Sequence, residues 1–155
     1  MMKAAVSTLV TETAFDPQAE AAAFADRFRG AGAIVTFVGD VRSQEGRVAG
    51  LILEHYPGFT EKEIDKIASA ALARWPLLGV RIVHRVGALG PGEPVVFVAA
   101  AAAHRRPAFE AAEFLMDYLK SEAPFWKKEI AGGEERWIEP REDDFASKAR
   151  WRAAE

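Results

Sequence analysis

Residues 80–103 read VRIVHRV (80–86), GALGPGEP (87–94) and VVFVAAAAA (95–103), and they decide the fold class. The first segment alternates apolar and polar side chains, which predicts a half-buried strand. The third is apolar throughout, as expected for a strand that is buried on both faces. The segment between them is rich in Gly and Pro and predicts a tight connection. We therefore expect two neighbouring strands, with the hydrophobic core at the second.

Further strands and helices alternate along the rest of the chain. Strands are predicted over 3–10, 33–42 and 51–56, and in a hairpin in which FWKKEIA (125–131) and ERWIE (135–139) flank Gly132-Gly133. Helices are predicted from Asp16-Pro17 to Gly30, from a Thr60/Glu63 capping box to Trp75, after His104-Arg105-Arg106-Pro107, and as a short helix or tail near the C-terminus. This order favours an α+β fold with a largely antiparallel sheet.

Length and composition limit the classes of protein that the chain can belong to. Its 155 residues, half of them hydrophobic, suit one domain over 1–155. The net charge of -3 gives no global field that attracts nucleic acid or an anionic membrane. No signal peptide or membrane-spanning run is apparent, so a cytoplasmic protein is expected. The chain has no cysteine, which excludes disulfides, thiolate metal sites and sulfur chemistry on its own thiol.

Basic residues lie where predicted elements end. Arg42 closes the strand 33–42, and His104 and Arg105 precede the third helix. Free backbone N–H groups and the helix dipole favour an anion at a helix start, and a phosphate is the obvious candidate. A solvated surface charge is the alternative for each of these residues.

The stretch MDYLKSEAPFWKKE (116–129) places two lysines on either side of a break. Lys120 lies in the last helical turn, where it could simply complement the dipole, and Lys127 could be an ordinary strand lysine. However, Pro124 forces a turn, and burial of Phe125 and Trp126 would bring Lys127 back towards the helix end. Two such lysines near an apolar wall lower each other's pKa and can act as acid, base or nucleophile.

The remaining polar signals are weaker. The three histidines, His55, His84 and His104, share no metal-ligand spacing, and Glu142-Asp143-Asp144 is typical of a solvated helix start, so no metal is implied. The glycines of 87–92 lie between two strands and lack the strand-to-helix context of a nucleotide loop. We expect no cofactor.

Several long motifs identify a family resemblance. GAIVTFVGDVR, LEHYPGFTEK, RWPLLGVRIVHRVGALGPGE, AHRRPAFEA, MDYLKSEAPFWKKE and RWIEPRE resemble, in this order, the large catalytic subunit of molybdopterin synthase, the MoaE family. The resemblance runs from about residue 30 to 151. It implies an α/β-hammerhead fold and a homodimer that binds two copies of a small ubiquitin-like sulfur carrier ending in Gly-Gly. The carrier's thiocarboxylate then delivers sulfur to cyclic pyranopterin monophosphate to form the dithiolene of molybdopterin.

The resemblance also implies site residues. Lys120 and Lys127 match the two active-site lysines. The basic residues of the substrate pocket are matched by Arg42, His104, Arg105 and Arg141. Phe125 and Trp126 are expected to shape the channel for the carrier's tail. A sulfurtransferase without cysteine is consistent with sulfur that arrives already activated on the partner.

Two other functions compete with this one. A non-catalytic subunit could bind a phosphorylated pterin or nucleotide and dock a partner, but it has less use for two clustered amines. A phosphate-ester hydrolase ranks lowest, because no metal cluster or activated Ser or Cys nucleophile is apparent.

Overall fold

The computed structural model describes residues 5–42, 50–138 and 142–153. Within these ranges the chain forms four helices and eight strands. The strands are β1 (Ala5–Thr11), β2 (Ala33–Asp40), β3 (Gly50–His55), β4 (Leu77–Arg85), β5 (Gly87–Leu89), β6 (Pro94–Ala102), β7 (Phe125–Ala131) and β8 (Glu134–Ile138). The helices are α1 (Pro17–Arg27), α2 (Phe59–Arg74), α3 (Arg105–Ser121) and α4 (Glu142–Ala153).

The strands form two four-stranded sheets. The first has the order β1-β4-β6-β2 and is mixed, because β1 runs parallel to β4 while the other neighbours are antiparallel. The second has the order β5-β3-β7-β8 and is antiparallel throughout. The α+β prediction is confirmed, and the sheets are antiparallel except at the β1–β4 pair.

Strand β6 lies at the centre of the core, as its apolar run predicted. Its residues Ala99–Ala102 are completely buried. Ala99 and Ala101 pack in the cluster of Phe24 from α1, whereas Ala100 and Ala102 pack in the cluster of Phe114 from α3. Helices therefore cover both faces of this strand, and the small alanine side chains leave room for both.

The connection between β4 and β6 is more than the tight turn that was predicted. Residues Gly87–Leu89 form β5, which pairs with β3 of the second sheet, with Leu89 opposite Leu51. The chain leaves the first sheet at Gly87, whose φ of +89° is a conformation that glycine adopts without steric cost. The connection thus links the two sheets, which periodicity within the segment could not reveal.

Helix α1 begins as predicted, but α2 does not. The Asp16 side chain accepts a hydrogen bond from the Gln18 N–H at 2.9 Å and caps α1. The predicted capping box at the start of α2 is wrong, because the N-cap is Gly58, whose N–H donates to the Glu61 carboxylate. Thr60 is instead buried inside the helix.

Thr60 ties α2 to the segment that precedes β7. Its hydroxyl accepts from the Tyr56 N–H at 2.9 Å and donates to the Pro124 carbonyl at 3.1 Å. Residues 56 and 124 follow β3 and precede β7, which are neighbours in the second sheet. A buried hydroxyl with both bonds satisfied fixes the chain at this point.

One glycine is required where β2 approaches the end of β6. Gly32 has φ +115°, and a Cβ built there would lie 2.3 Å from the Ala103 carbonyl oxygen. Only glycine fits such an approach. The start of β2 is thereby held against the residues that lead into α3.

The C-terminal region agrees with the hairpin prediction. Strands β7 and β8 pair antiparallel around Gly132 and Gly133, both with positive φ. The predicted short helix or tail is the helix α4, and its Trp151 is buried against Phe114 of α3. No helix among the described residues is long and apolar enough to cross a membrane.

Candidate functional site

The two predicted lysines lie on either side of the turn between α3 and β7. Lys120 is in the last turn of α3 and is exposed, whereas Lys127 is the third residue of β7 and is half-buried. Between them the helix ends at Glu122, whose N–H donates to the Tyr118 carbonyl, and Pro124 is fixed by Thr60. The chain turns back after the helix, as the sequence predicted.

Electrostatic coupling places Lys127 in a cluster of cations. Burial lowers the pKa of Lys127 below its ordinary value of 10.5, and the positive charges of Lys120 and Arg42 lower it further. The carboxylates of Glu129 and Asp144 act in the opposite direction. Each of these groups must be near Lys127 to exert such an effect. Lys120 and Arg42, which sequence reasoning also singled out, thus lie within electrostatic range of Lys127.

A buried histidine lies within electrostatic range of two of these cations, Lys120 and Lys127, and sequence reasoning missed it. The ring of His84, only 9% exposed, stacks on Phe125 with 3.9 Å between ring centroids and 16° between ring planes. Burial, Lys120, Lys127 and His55 lower the pKa of His84 to about 4, although a bond to the Arg85 carbonyl acts to raise it. His84 is therefore neutral at physiological pH.

The signal for His84 was present in the strand pattern. Alternation along VRIVHRV places residues 80, 82 and 84 on one face, and Val80 and Ile82 lie in the core cluster of α2 and α3. A histidine at the end of such an apolar face is buried. His55 lies at the end of β3, opposite Phe125 in the β3–β7 register, with Nε2 3.4 Å from Glu61 Oε1.

The pleat of β7 separates the two aromatic residues predicted to shape one channel. Successive side chains of a strand point to opposite faces, so Phe125 shares the face of Lys127 while Trp126 shares the face of Lys128. Trp126 is 47% exposed. On its face, the Lys128 ammonium lies 4.3 Å from the ring centroid of Trp137, which is itself largely exposed. Phe125 therefore adjoins the lysines, and Trp126 belongs to an outer aromatic face.

The predicted anion site lies at the opposite end of α3. His104 is the N-cap and Arg105 the first helical residue, and both are exposed. The first turn has no acidic residue to neutralise the dipole. At 1.5 Å per residue, Arg105 lies about 22 Å along the helix axis from Lys120. Within this chain the two groups therefore lie at opposite ends of the helix. Arg141 lies outside the described residues.

The geometry limits the chemistry. The cluster offers an amine of lowered pKa for proton transfer, fixed positive charge for a developing anion, and a neutral imidazole. Among the described residues, no group of three His, Asp or Glu side chains is arranged to hold a metal ion.

Comparisons with known proteins show which family this chain resembles. The family model described as "MoaE protein" matches residues 10–122. The molybdopterin synthase catalytic subunit of Cereibacter sphaeroides is 54% identical over 143 residues, which cover 92% of this chain and 98% of that protein. The solved structure of the molybdopterin biosynthesis MoaE protein from Burkholderia ambifaria has a TM-score of 0.81 at 50% identity, covering 94% of this chain and 97% of that chain.

A more distant structure shares the fold. It is the protein-protein complex of subunits 1 and 2 of molybdopterin-converting factor from Helicobacter pylori, with a TM-score of 0.74 at 20% identity, covering 86% of this chain and 91% of that chain.

Proposed function

The chain belongs to the MoaE family of molybdopterin synthase catalytic subunits, enzymes of molybdenum cofactor biosynthesis, and from this premise we propose how its site works. The chain takes sulfur from the thiocarboxylated C-terminal glycine of a small ubiquitin-like carrier. It transfers this sulfur to cyclic pyranopterin monophosphate, and two transfers form the dithiolene of molybdopterin. The observation that carries the proposal is the pairing of Lys127, with its lowered pKa, and Lys120 at one site.

Each group at the lysine end has a distinct use in this reaction. In each transfer a carbon–sulfur bond on the pterin replaces a carbon–oxygen bond: in one transfer the oxygen leaves with the phosphate as the cyclic ester opens, and in the other it leaves as water. Water then cleaves the acyl–sulfur bond, so that the carrier leaves with an ordinary carboxylate. Lys120 and Arg42 can supply fixed positive charge, which orients the anionic thiocarboxylate. Proton exchange with the pterin intermediate needs a group whose pKa lies closer to the working pH, and this suits Lys127.

The basic residues at the other end of α3 suit the substrate's phosphate. Arg105 and His104 lie at a helix start with an uncompensated dipole, where backbone N–H groups also point towards an anion. Arg141 is assigned to the same pocket by its position in the family motif RWIEPRE. An arginine binds a phosphate with two hydrogen bonds, which fixes orientation as well as charge.

The separation along α3 argues for a homodimer with shared sites. Arg105 and Lys120 can serve one substrate only if they come from different copies, because about 22 Å separates them within one helix. A second copy would supply its Arg105 to the site that contains Lys120, and receive the same in return by two-fold symmetry.

Strand β2 is the edge that suits this pairing. It has no neighbour on its outer side among the described residues, and its Ile34, Phe37 and Val38 are each about two-fifths exposed. A long apolar edge strand is a template for pairing with another chain. Antiparallel pairing of two β2 strands about their centre would set Arg42, which follows one strand, beside the start of the other. That start is held against residue 103, next to His104, through Gly32.

The carrier is assigned to the outer aromatic face and to the channel beside Phe125. Trp126 and Trp137 expose about half of their surfaces, and Tyr56, which follows β3, exposes 62% of its own; large exposed aromatics mark protein-binding surfaces. A terminal Gly-Gly has no side chains, so it can extend past Phe125 to the lysines. The related Helicobacter pylori protein forms a complex between its two subunits. One carrier per protomer gives a heterotetramer.

The proposal extends to the whole chain and its class. Residues 1–155 act as one domain of the α/β-hammerhead type in the cytoplasm, with no metal or cofactor of their own. The lack of cysteine fits a sulfur atom that arrives activated on the carrier. A subunit that merely bound a phosphorylated pterin would need the arginines but not an amine of lowered pKa, which favours the catalytic assignment over that alternative.

The decisive assay combines this chain, a thiocarboxylated carrier and the cyclic precursor. We expect dithiolene formation that needs all three, with Lys127→Ala close to inactive although it binds the carrier and unfolds at the same temperature as the wild type. Dithiolene formed from free sulfide at a comparable rate without carrier would refute the proposal. Full activity of Lys127→Ala would also refute it, because the pairing of this lysine with Lys120 carries the proposal.

A further inference from the structure

His84 occupies the joint between the two sheets. It belongs to β4 of the first sheet, and its ring stacks on Phe125, the first residue of β7 in the second sheet. Phe125 in turn packs against the core cluster that includes α3. The stack is therefore a contact through which the first sheet fixes the point where β7 begins.

The hydrogen bonding of the ring fixes its tautomer. Nδ1 lies 2.8 Å from the Arg85 carbonyl oxygen, and a carbonyl only accepts, so Nδ1 carries the proton. Nε2 of the neutral ring is then an acceptor. With its backbone bond made on one side and Phe125 stacked on the ring, His84 cannot rotate freely.

The position of Lys127 depends on the position of Phe125. The two residues lie on the same face of β7, two positions apart, and Lys127 is opposite Leu53 in the neighbouring strand. A shift of Phe125 along or away from the sheet would carry Lys127 with it. The charges that set the electrostatics of Lys127 come from α3, from the end of β2, from α4 and from β7 itself, through Lys120, Arg42, Asp144 and Glu129. Small displacements would change all of these distances.

We propose that His84 is a positioning residue for the sulfur transfer: by stacking on Phe125 it fixes the start of β7 and thereby sets Lys127 beside Lys120. This inference rests on the proposed function of the two lysines. It assigns His84 no proton transfer, because the flat ring acts through its contact with Phe125.

Two substitutions separate the ring from its hydrogen bond. His84→Phe keeps a flat ring that can stack on Phe125 but loses the donor to the Arg85 carbonyl. His84→Asn keeps a donor at nearly the same place but loses the ring. Phe28→Ala is the matched control, since Phe28 lies in the α1 cluster, away from the lysines, and its loss also removes an aromatic contact, with Phe24.

The measurements are kcat and KM for carrier and precursor, together with the pKa of Lys127 from NMR of its side chain. We expect His84→Asn to lower kcat by about tenfold or more with nearly unchanged KM, as small misplacements of a catalytic group do. The pKa of Lys127 should rise towards 10.5 as the residue moves into water. His84→Phe should recover most of kcat, and Phe28→Ala should lose stability but keep kcat.

Several results would overturn the inference. One is wild-type kcat in His84→Asn, and another is a His84→Phe variant as slow as His84→Asn, which would assign the role to the imidazole itself. A loss of kcat in Phe28→Ala as large as in His84→Asn would make the effect one of general stability. Lys127→Ala in the same assay keeps the two proposals apart. If it is fully active, the proposed function fails, whereas an inactive Lys127→Ala beside a fully active His84→Asn refutes only the role of His84.

Discussion

Shared sites between two protomers can be tested by complementation between two impaired variants. One chain carries Lys127→Ala and the other Arg105→Ala. In the proposed dimer each protomer supplies Lys127 to its own site and Arg105 to the site of its partner. A heterodimer of the two variants then contains one site with both defects and one site with neither.

The expected magnitude follows from the structure. Because about 22 Å of helix separates Arg105 from Lys120, the proposed site takes these two residues from different protomers. The purified heterodimer should therefore show about half of the wild-type activity per dimer. The Lys127→Ala homodimer should be close to inactive. The Arg105→Ala homodimer should lose roughly 1.5–3 kcal/mol of precursor binding, the value of a charged hydrogen bond.

The assay needs heterodimers of defined composition. The two chains are co-expressed with different affinity tags and purified in sequence on both, and dithiolene formation is measured with saturating carrier and with precursor below the KM of the Arg105→Ala homodimer. Arg106→Ala is the matched control for the arginine, because it is an exposed neighbour with no assigned role. Its homodimer should be active.

The refuting result is unambiguous. If each protomer forms its own site, every site in the heterodimer carries one defect. Its activity would then be no higher than the mean of the two parent homodimers, and the dimer-spanning site would be wrong.

Three further predictions concern the dimer edge, the reactive lysine and a glycine. Val38→Lys on β2 should weaken the homodimer in sedimentation, because a lysine on an edge strand opposes pairing. Leu9→Lys on the edge strand β1, where the native residue is nearly equally exposed, should not weaken it, and equal effects would exclude β2 as the interface. Lys127→Arg should fail to restore turnover if Lys127 transfers protons, since arginine stays protonated. The rate is compared with that of Lys127→Ala across pH, and substantial rescue would reduce the role of Lys127 to fixed charge. Gly32→Ala should lower the free energy of unfolding, measured with denaturant, by about 2 kcal/mol or more. Gly30→Ala should lower it less, because its Cβ meets no atom and only the positive φ is strained; equal losses would show that the close contact at Gly32 is easily relieved.

The sequence predicted what depends on local pattern. The α+β class, the buried run of β6 and the hairpin at Gly132-Gly133 follow from periodicity and turn residues, and the structure confirms them. The approach of Lys127 to Lys120 also followed locally, because a proline break and an aromatic pair lie between them within eight residues.

What the sequence could not predict depends on contacts between distant segments. Strand β5 exists because residues 87–89 meet β3, far away in the chain. His84 stacks on a residue about forty positions later, and nothing within VRIVHRV indicates that partner. The distance between the two ends of α3 could be computed from its length, but the proposal of a second copy arises only when both ends are assigned to one reaction.

The alanine run of β6 has a consequence for how this protein can vary. In most cores, truncation is the harmful change, because it leaves a cavity. Ala99–Ala102 have almost nothing to truncate, and helices α1 and α3 press on the two faces of the strand. Here enlargement is the harmful direction, since each added methyl group must push a helix outward. A change from alanine to valine, which most cores accept as conservative, should be selected against at these four positions. Within this family, amino-acid substitution should therefore be slowest where the side chains are smallest.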